Sequence, residues 1–321
     1  MIGLPRQIFL EEAALKRLKD IPEGRILILS DRTTYRIAGK RAERILKNRK
    51  PETRIISDGL KLKARAEWIV AVGGGRIIDY GKLLALKNKA ELIAVPTAPS
   101  HDGIFSPTIT LPELNLFSKP AKPPFWVIAD LEILREAPER LIRAGIGDAF
   151  SKYTSVFDWR LAAKKGDAFS EPLATLAWEV FENTARNLKE ILERDVKPLM
   201  ESLLYSGLVM CIWGSSQPVS GSEHAFSHAL DRLGSPALHG EQVALGTLLM
   251  AYFQGQDWKF IRRLLQRAGL PTKASDLGLE PGTIVRAVMM AKDIRERWSI
   301  LKEIRLTEEK VRKACRKLGI F

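Results

Sequence analysis

Cysteine and histidine are both scarce in this chain, two of one and four of the other among 321 residues. Cys211 and Cys315 cannot build a disulfide framework, and nothing around them has the spacing of a cysteine metal site. No run of 18 apolar residues occurs. The longest apolar stretches, LLYSGLVMCIW (203–213) and VALGTLLMAYF (243–253), have the length of buried helices, so no integral membrane segment is expected. The opening stretch MIGLPRQIFLEEAALKRLKD turns charged and amphipathic at once, without the apolar block of a secretion signal. A cytoplasmic protein is expected.

Charge is what the chain has in excess, at +13. Yet no basic run with interleaved aromatics occurs. Lys and Arg are scattered among acids or lie on helical faces such as FIRRLLQRAG (260–269), which reads as solvated surface. Nucleic acid is therefore not an expected partner. A non-enzymatic polyanion-binding protein is the reading from a different class, and it leaves the motifs below unexplained. The positive balance suits a small anionic substrate.

A chain of this length suggests two domains, and its two halves are patterned differently. RILILS (25–30), TRIIS (53–57), EWIVAVG (67–73), ELIAV (91–95) and PPFWVIAD (123–130) read as short strands. AERILKNRK (42–50), KLKARA (61–66) and RIIDYGKLLAL (76–86) between them read as helical. That alternation predicts a doubly wound, parallel α/β sheet of Rossmann type. Beyond residue 138 helical periodicity takes over, at 144–165, 171–195, 198–213, 221–232, 239–254, 258–268 and 282–295. A final helix is capped by Thr307 ahead of Glu308 and Glu309. The expectation is an α/β dinucleotide-binding domain over 1–137, an all-helical metal- and substrate-binding domain over 138–321, and an active-site cleft between them.

VAVGGGRIID (70–79) follows a strand and opens a helix. Gly73, Gly74 and Gly75 carry no side chains, so a phosphate can approach the backbone, where a helix N-terminus offers N–H groups and a positive dipole. The motif is neither a P-loop nor G-x-G-x-x-G, and its weight comes from lying at the carboxyl end of a sheet strand. Asp31, ending an earlier strand, is placed to accept from a ribose, and Arg32 beside it could meet a 2′-phosphate. NADH and NADPH both stay open. PTAPSHDGIFSPT (96–108) crowds Thr97, Ser100, His101, Asp102 and Ser106 into a loop expected at the same sheet edge.

Three of the four histidines, His224, His228 and His239, fall within sixteen positions. His224 and His228 are four apart and share a helix face. His239 opens the next helix. Two imidazoles with one carboxylate make a catalytic metal site that keeps an open position. Asp148 in AGIGDAFSKY is the candidate acid, set among glycines and apolar residues. By spacing alone, either His224 or His228 can ligate.

Taken in order, GGGRIID, PTAPSHDGIFSP, GIGDAFSKY, SGSEHAFSHALD and LHGEQ closely resemble the sn-glycerol-1-phosphate dehydrogenases of archaeal lipid synthesis. These belong to the wider group of glycerol dehydrogenases, iron-dependent alcohol dehydrogenases and dehydroquinate synthases. The resemblance implies one zinc held by Asp148, His224 and His239. It implies substrate contacts from His228, Asp102 and Asp148, with Asp102 and His228 as the catalytic pair. Gly73, Gly74, Gly75, Arg76, Ile77, Thr97, Ser100 and Ser106 would line the nicotinamide site. The implied reaction reduces dihydroxyacetone phosphate to sn-glycerol 1-phosphate with NADH or NADPH, His228 relaying the proton. A glycerol dehydrogenase acting on the bare polyol is the nearest alternative. A homo-oligomer is expected. Two departures from the family pattern are visible: Arg76 stands where lysine is usual, and Phe105 where a small residue is expected.

Overall fold

The computed structural model describes residues 3–56 and 65–321. The helix expected at 61–66 falls mostly outside them. Two compact units emerge, one of residues 1–142 with 193–215, the other of residues 143–192 with 216–321.

The first unit is built on six strands: β1 (Gln7–Glu11), β2 (Ile26–Ser30), β3 (Glu52–Ile55), β4 (Trp68–Gly73), β5 (Glu91–Pro96) and β8 (Trp126–Asp130). They lie in the order β1-β8-β5-β4-β2-β3. Every pairing is parallel. A parallel sheet covered on both faces needs continuous apolar strands, and ILIL, WIVAV, LIAV and WVIA supply them. Ile28, Val70, Val72, Ile93, Val95 and Ile128 are fully buried on one face, over Leu15 and Leu18. Two features went unread in the sequence. The edge strand β1 comes from the opening stretch, and residues 108–120 form the antiparallel pair β6 (Thr108–Leu111) and β7 (Leu116–Pro120).

The helix Lys197–Trp213 packs in this unit, not with the helices that flank it in sequence. Its Gly207 lies against Phe105, where an added Cβ would come within 2.5 Å of the phenylalanine's own. Phe105 is therefore core, 2% exposed, and the missing side chain at Gly207 makes room for it. The first division between the two units falls at residue 142. The return of 193–215 to the first unit departs from the expected continuous second domain. Helical periodicity reports that a segment is a helix, not which core receives its apolar face.

In the second unit every regular element of the described residues is helical. Ser222–Arg232 packs against His239–Phe253 and Pro281–Ile294. Phe150, Tyr153 and Phe181 form an aromatic cluster with centroids 5.1 and 5.8 Å apart. Thr307 caps the last helix by accepting from Lys310 N at 3.2 Å. No helix of the described residues is long and apolar enough to cross a membrane.

Candidate active site

β4 ends at Gly73, and the helix Gly75–Asn88 starts after Gly74. Side chains are excluded here for specific reasons. A Cβ on Gly73 would lie 2.6 Å from Cβ of Ile77, and one on Gly75 would lie 1.8 Å from Nε2 of His101. Gly74 faces open space, with nothing within 4 Å of an added Cβ. An open glycine above a helix N-terminus is a cradle in which a phosphate can meet the backbone. Thr97 is bonded into the same edge, its N–H donating to Gly73 O at 3.1 Å.

The other expected cofactor residues carry structural duties. Asp31 caps the turn after β2, its Oδ1 accepting from Thr33 N at 2.8 Å and Thr34 N at 2.7 Å. Arg76 pairs with Glu113 at 2.7 Å, which also accepts from the Tyr80 hydroxyl. Ile77 is buried under Gly73. The Ser106 hydroxyl joins a buried cluster around Lys82, which sequence reasoning missed. Lys82 pairs with Asp79 at 2.9 Å and donates to the carbonyls of Gly103 at 2.5 Å and Thr108 at 2.8 Å. A buried ammonium thus ties the 102–108 loop to the glycine-turn helix. Asp102 in that loop accepts from the Ser206 hydroxyl at 2.5 Å.

In the second unit Asp148, His224 and His239 offer ligand atoms that all lie within 4.8 Å of one another. Asp148 is fully buried, and its Oδ1 lies 3.3 Å from His224 Nε2. Hydrogen bonds set both imidazoles. His224 Nδ1 meets Glu223 Oε1 at 2.8 Å, so Nδ1 carries the proton and Nε2 points to the cluster. Ser227 donates its single proton to Gln242 Oε1 at 2.6 Å, so His239 Nδ1, 2.9 Å from the Ser227 oxygen, must be the donor there. That leaves Nε2 of His239 as its lone-pair nitrogen. Two outward-facing Nε2 atoms beside a carboxylate are a donor set for a divalent metal.

The acids around the cluster are ionised despite burial. Burial opposes the charge of Asp148, but Lys152, 3.0 Å away, and the His224 bond outweigh it and hold the carboxyl well below its ordinary range. Glu223, fully buried, is lowered in the same way by His224, and it also accepts from Thr154 and Gly221. For His224 the carboxylate partners overcome burial and raise the imidazole.

His228 stacks on His239 with ring centroids 6.0 Å apart. Its Nε2 lies 2.9 Å from a guanidinium nitrogen of Arg295 and therefore accepts. Burial first, then the charges of Arg295 and His224, push this imidazole down to about 4. The ordinary histidine value near neutrality does not apply in this setting. A neutral imidazole still relays a proton by taking one at Nε2 as it gives one up at Nδ1.

Of the site residues expected from sequence, Asp148, His224, His228 and His239 come together here. Gly73, Gly74, Gly75, Thr97 and the 100–106 loop group at the ends of β4 and β5. Sequence reasoning missed Glu223, Lys152, Asp158, Arg295 and Arg297. Glu223 and Lys152 had a readable signal, being acid and base one and four positions from proposed ligands on apolar helices. Asp158 had none. It accepts from Ser222 N, Ser222 Oγ, Gln254 Nε2 and Ile300 N at 2.5–3.1 Å, anchoring the start of the histidine helix.

The fold has clear counterparts. A probable glycerol dehydrogenase from Sinorhizobium meliloti 1021 superposes with TM-score 0.78 over 99% of this chain and 98% of its own, at 23% identity. Glycerol dehydrogenase from Schizosaccharomyces pombe superposes at 0.79 over 99% and 90%, at 20% identity. The profile of the iron-containing alcohol dehydrogenases matches residues 8–138. Closer in sequence is a glycerol-1-phosphate dehydrogenase, NAD(P)+, of Thermococcus sibiricus, 38% identical over 100% of this chain and 98% of its own length. That of Hyperthermus butylicus is 40% identical over 100% and 99%, and that of Sulfurisphaera tokodaii 45% identical over 80% and 76%. The chain belongs to the glycerol-1-phosphate dehydrogenase family.

Proposed function

We propose that this protein reduces dihydroxyacetone phosphate to sn-glycerol 1-phosphate with NADH or NADPH. The observation that carries the reading is the Asp148–His224–His239 cluster, with both imidazoles fixed to present Nε2. A divalent metal bound there, zinc by preference for one carboxylate and two imidazoles, would polarise the ketone oxygen as a Lewis acid, and the nicotinamide would supply the hydride. Asp148, His224 and His239 hold the metal, and Glu223 and Ser227 keep the two rings turned. His228 meets the substrate as a neutral imidazole and passes a proton toward the ketone oxygen. Asp102 orients the substrate. The open backbone at Gly73–Gly75, with Thr97 and Ser100, receives the cofactor phosphates. Ser106, Ile77 and Arg76 shape that site from behind through the Lys82 cluster, the β4 edge and Glu113, and Asp31 meets the ribose from its cap position. The protein works as a cytoplasmic homo-oligomer.

The test is oxidation of NADH and NADPH by the purified protein with dihydroxyacetone phosphate or dihydroxyacetone, with and without a chelator. Strong preference for the phosphorylated ketone, lost on chelation and restored by zinc, is expected. Preference for bare dihydroxyacetone would make the protein a glycerol dehydrogenase. No oxidation with either ketone would overturn the dehydrogenase reading.

A further inference from the structure

Next to the histidine cluster, two arginines line one pocket, with the charges of Glu223 on Arg295 and Asp167 on Arg297 acting from outside its wall. Arg295 donates to Ser220 O at 3.1 Å, to Ser220 Oγ at 2.8 Å and to His228 Nε2 at 2.9 Å. Arg297 donates to Ser216 Oγ at 3.1 Å and reaches the same Ser220 carbonyl at 3.4 Å. Both therefore converge on Ser220. The pocket they line also includes Lys292, Gly221 and Ser222, and it has one acid on its wall, Asp158. Asp158 is already engaged by four donors from Ser222, Gln254 and Ile300.

Two guanidiniums this close repel each other. Burial and the charge of Arg297 lower Arg295 to about 9, and burial lowers Arg297 to about 10. Both remain charged at neutral pH. Positive charge is thus held in place at a cost, along the wall of that pocket. An anion entering there is favoured twice, by relief of that repulsion and by the match of planar guanidinium forks to phosphate oxygens.

We infer that Arg295 and Arg297 form the subsite for the phosphate group of the substrate, so that they set the preference for a phosphorylated over a bare ketone. The inference deepens the reductase reading and rests on it for the identity of the substrate. Arg295 touches His228, and His228 stacks on His239, so the phosphate end lies one imidazole away from the proposed metal. That spacing is short, as a three-carbon substrate requires. When phosphate binds, the Arg295 guanidinium can shift part of its donation from His228 Nε2 to phosphate oxygen. His228 Nε2 is then open to accept a proton. A cofactor phosphate has the same chemistry, and contact with His228 favours the substrate over it.

The experiment uses zinc-loaded protein and the variants Arg297→Gln and Arg297→Lys, leaving untouched the arginine that contacts His228. KM for dihydroxyacetone phosphate is expected to rise about 10- to 100-fold in Arg297→Gln, the loss of one charge-assisted hydrogen-bonding partner, with part of it recovered in Arg297→Lys. Turnover of dihydroxyacetone and KM for NADH and NADPH should hold. Titration calorimetry with inorganic phosphate should show binding to the wild type and its loss in Arg297→Gln. An equal fall with both ketones, a rise in KM for the cofactor instead, or phosphate binding unchanged in Arg297→Gln would overturn the subsite. If Arg297→Gln does not fold, Arg297→Lys carries the same comparison. Reduction of neither ketone by the wild type, with phosphate binding still lost in Arg297→Gln, would remove the reductase reading and leave the anion subsite standing.

Discussion

His224 works as a ligand only if its proton stays on Nδ1, and Glu223 is what keeps it there. Removing that charge leaves the ring in place but weakens its hold on the tautomer. Glu223→Gln is expected to lower metal affinity by about 10- to 100-fold while the fold persists. Competition for zinc against a chromogenic chelator measures this, and unchanged affinity would take Glu223 out of the site. The histidines drew attention by falling within sixteen positions, and Asp148, 76 residues before the first of them, by being an acid set among glycines and apolar residues. Only the fold brings Asp148 beside His224 and His239. Which helical histidine ligates was not legible from spacing, since His224 and His228 share a face. The structure separates them by partners, a carboxylate behind His224 and a guanidinium against His228. Arg295 and Arg297 stood in a charged stretch, RERW, that is indistinguishable in sequence from solvated surface. Burial by distant segments gives them their character.

At the scale of elements, Asp148 and His239 meet because two helices nearly touch. A Cβ on Gly147 would lie 2.3 Å from Gly240 O, and one on Gly240 would lie 1.9 Å from Ala144 O. The residues flanking both proposed ligands are therefore small so that the backbones of Glu139–Phe150 and His239–Phe253 can approach. Gly240→Ala should force the helices apart, at a cost on the order of 1–3 kcal/mol, and bound metal should fall with it. Metal content by atomic absorption, set beside a thermal melt, tests this. Full occupancy in a variant of unchanged stability would refute it. Central strands and long helices were readable because apolar runs and 3.6-residue periodicity survive without tertiary knowledge. The edge strand β1 and the β6–β7 pair were not. Their short, mixed sequences take strand form from the partners that β8 and each other provide.

For the whole molecule, burial decides what the two cysteines can do. It raises Cys211 to about 11 and Cys315 to about 12, so neither is a thiolate near neutral pH. Both thiols should resist a disulfide reagent at pH 8 in the folded protein and react together once it is denatured. Rapid labelling of the native protein would contradict the packing around them.

The return of 193–215 to the first unit has a consequence for how the chain is made. Asp102 and Phe105 wait for Ser206 and Gly207, which leave the ribosome a hundred residues later. The sheet can assemble while synthesis continues, but the loop beside the glycine turn cannot settle until the helix Lys197–Trp213 has emerged. No single cut between residues 142 and 193 yields a whole first unit, so neither unit can be released by one proteolytic nick there.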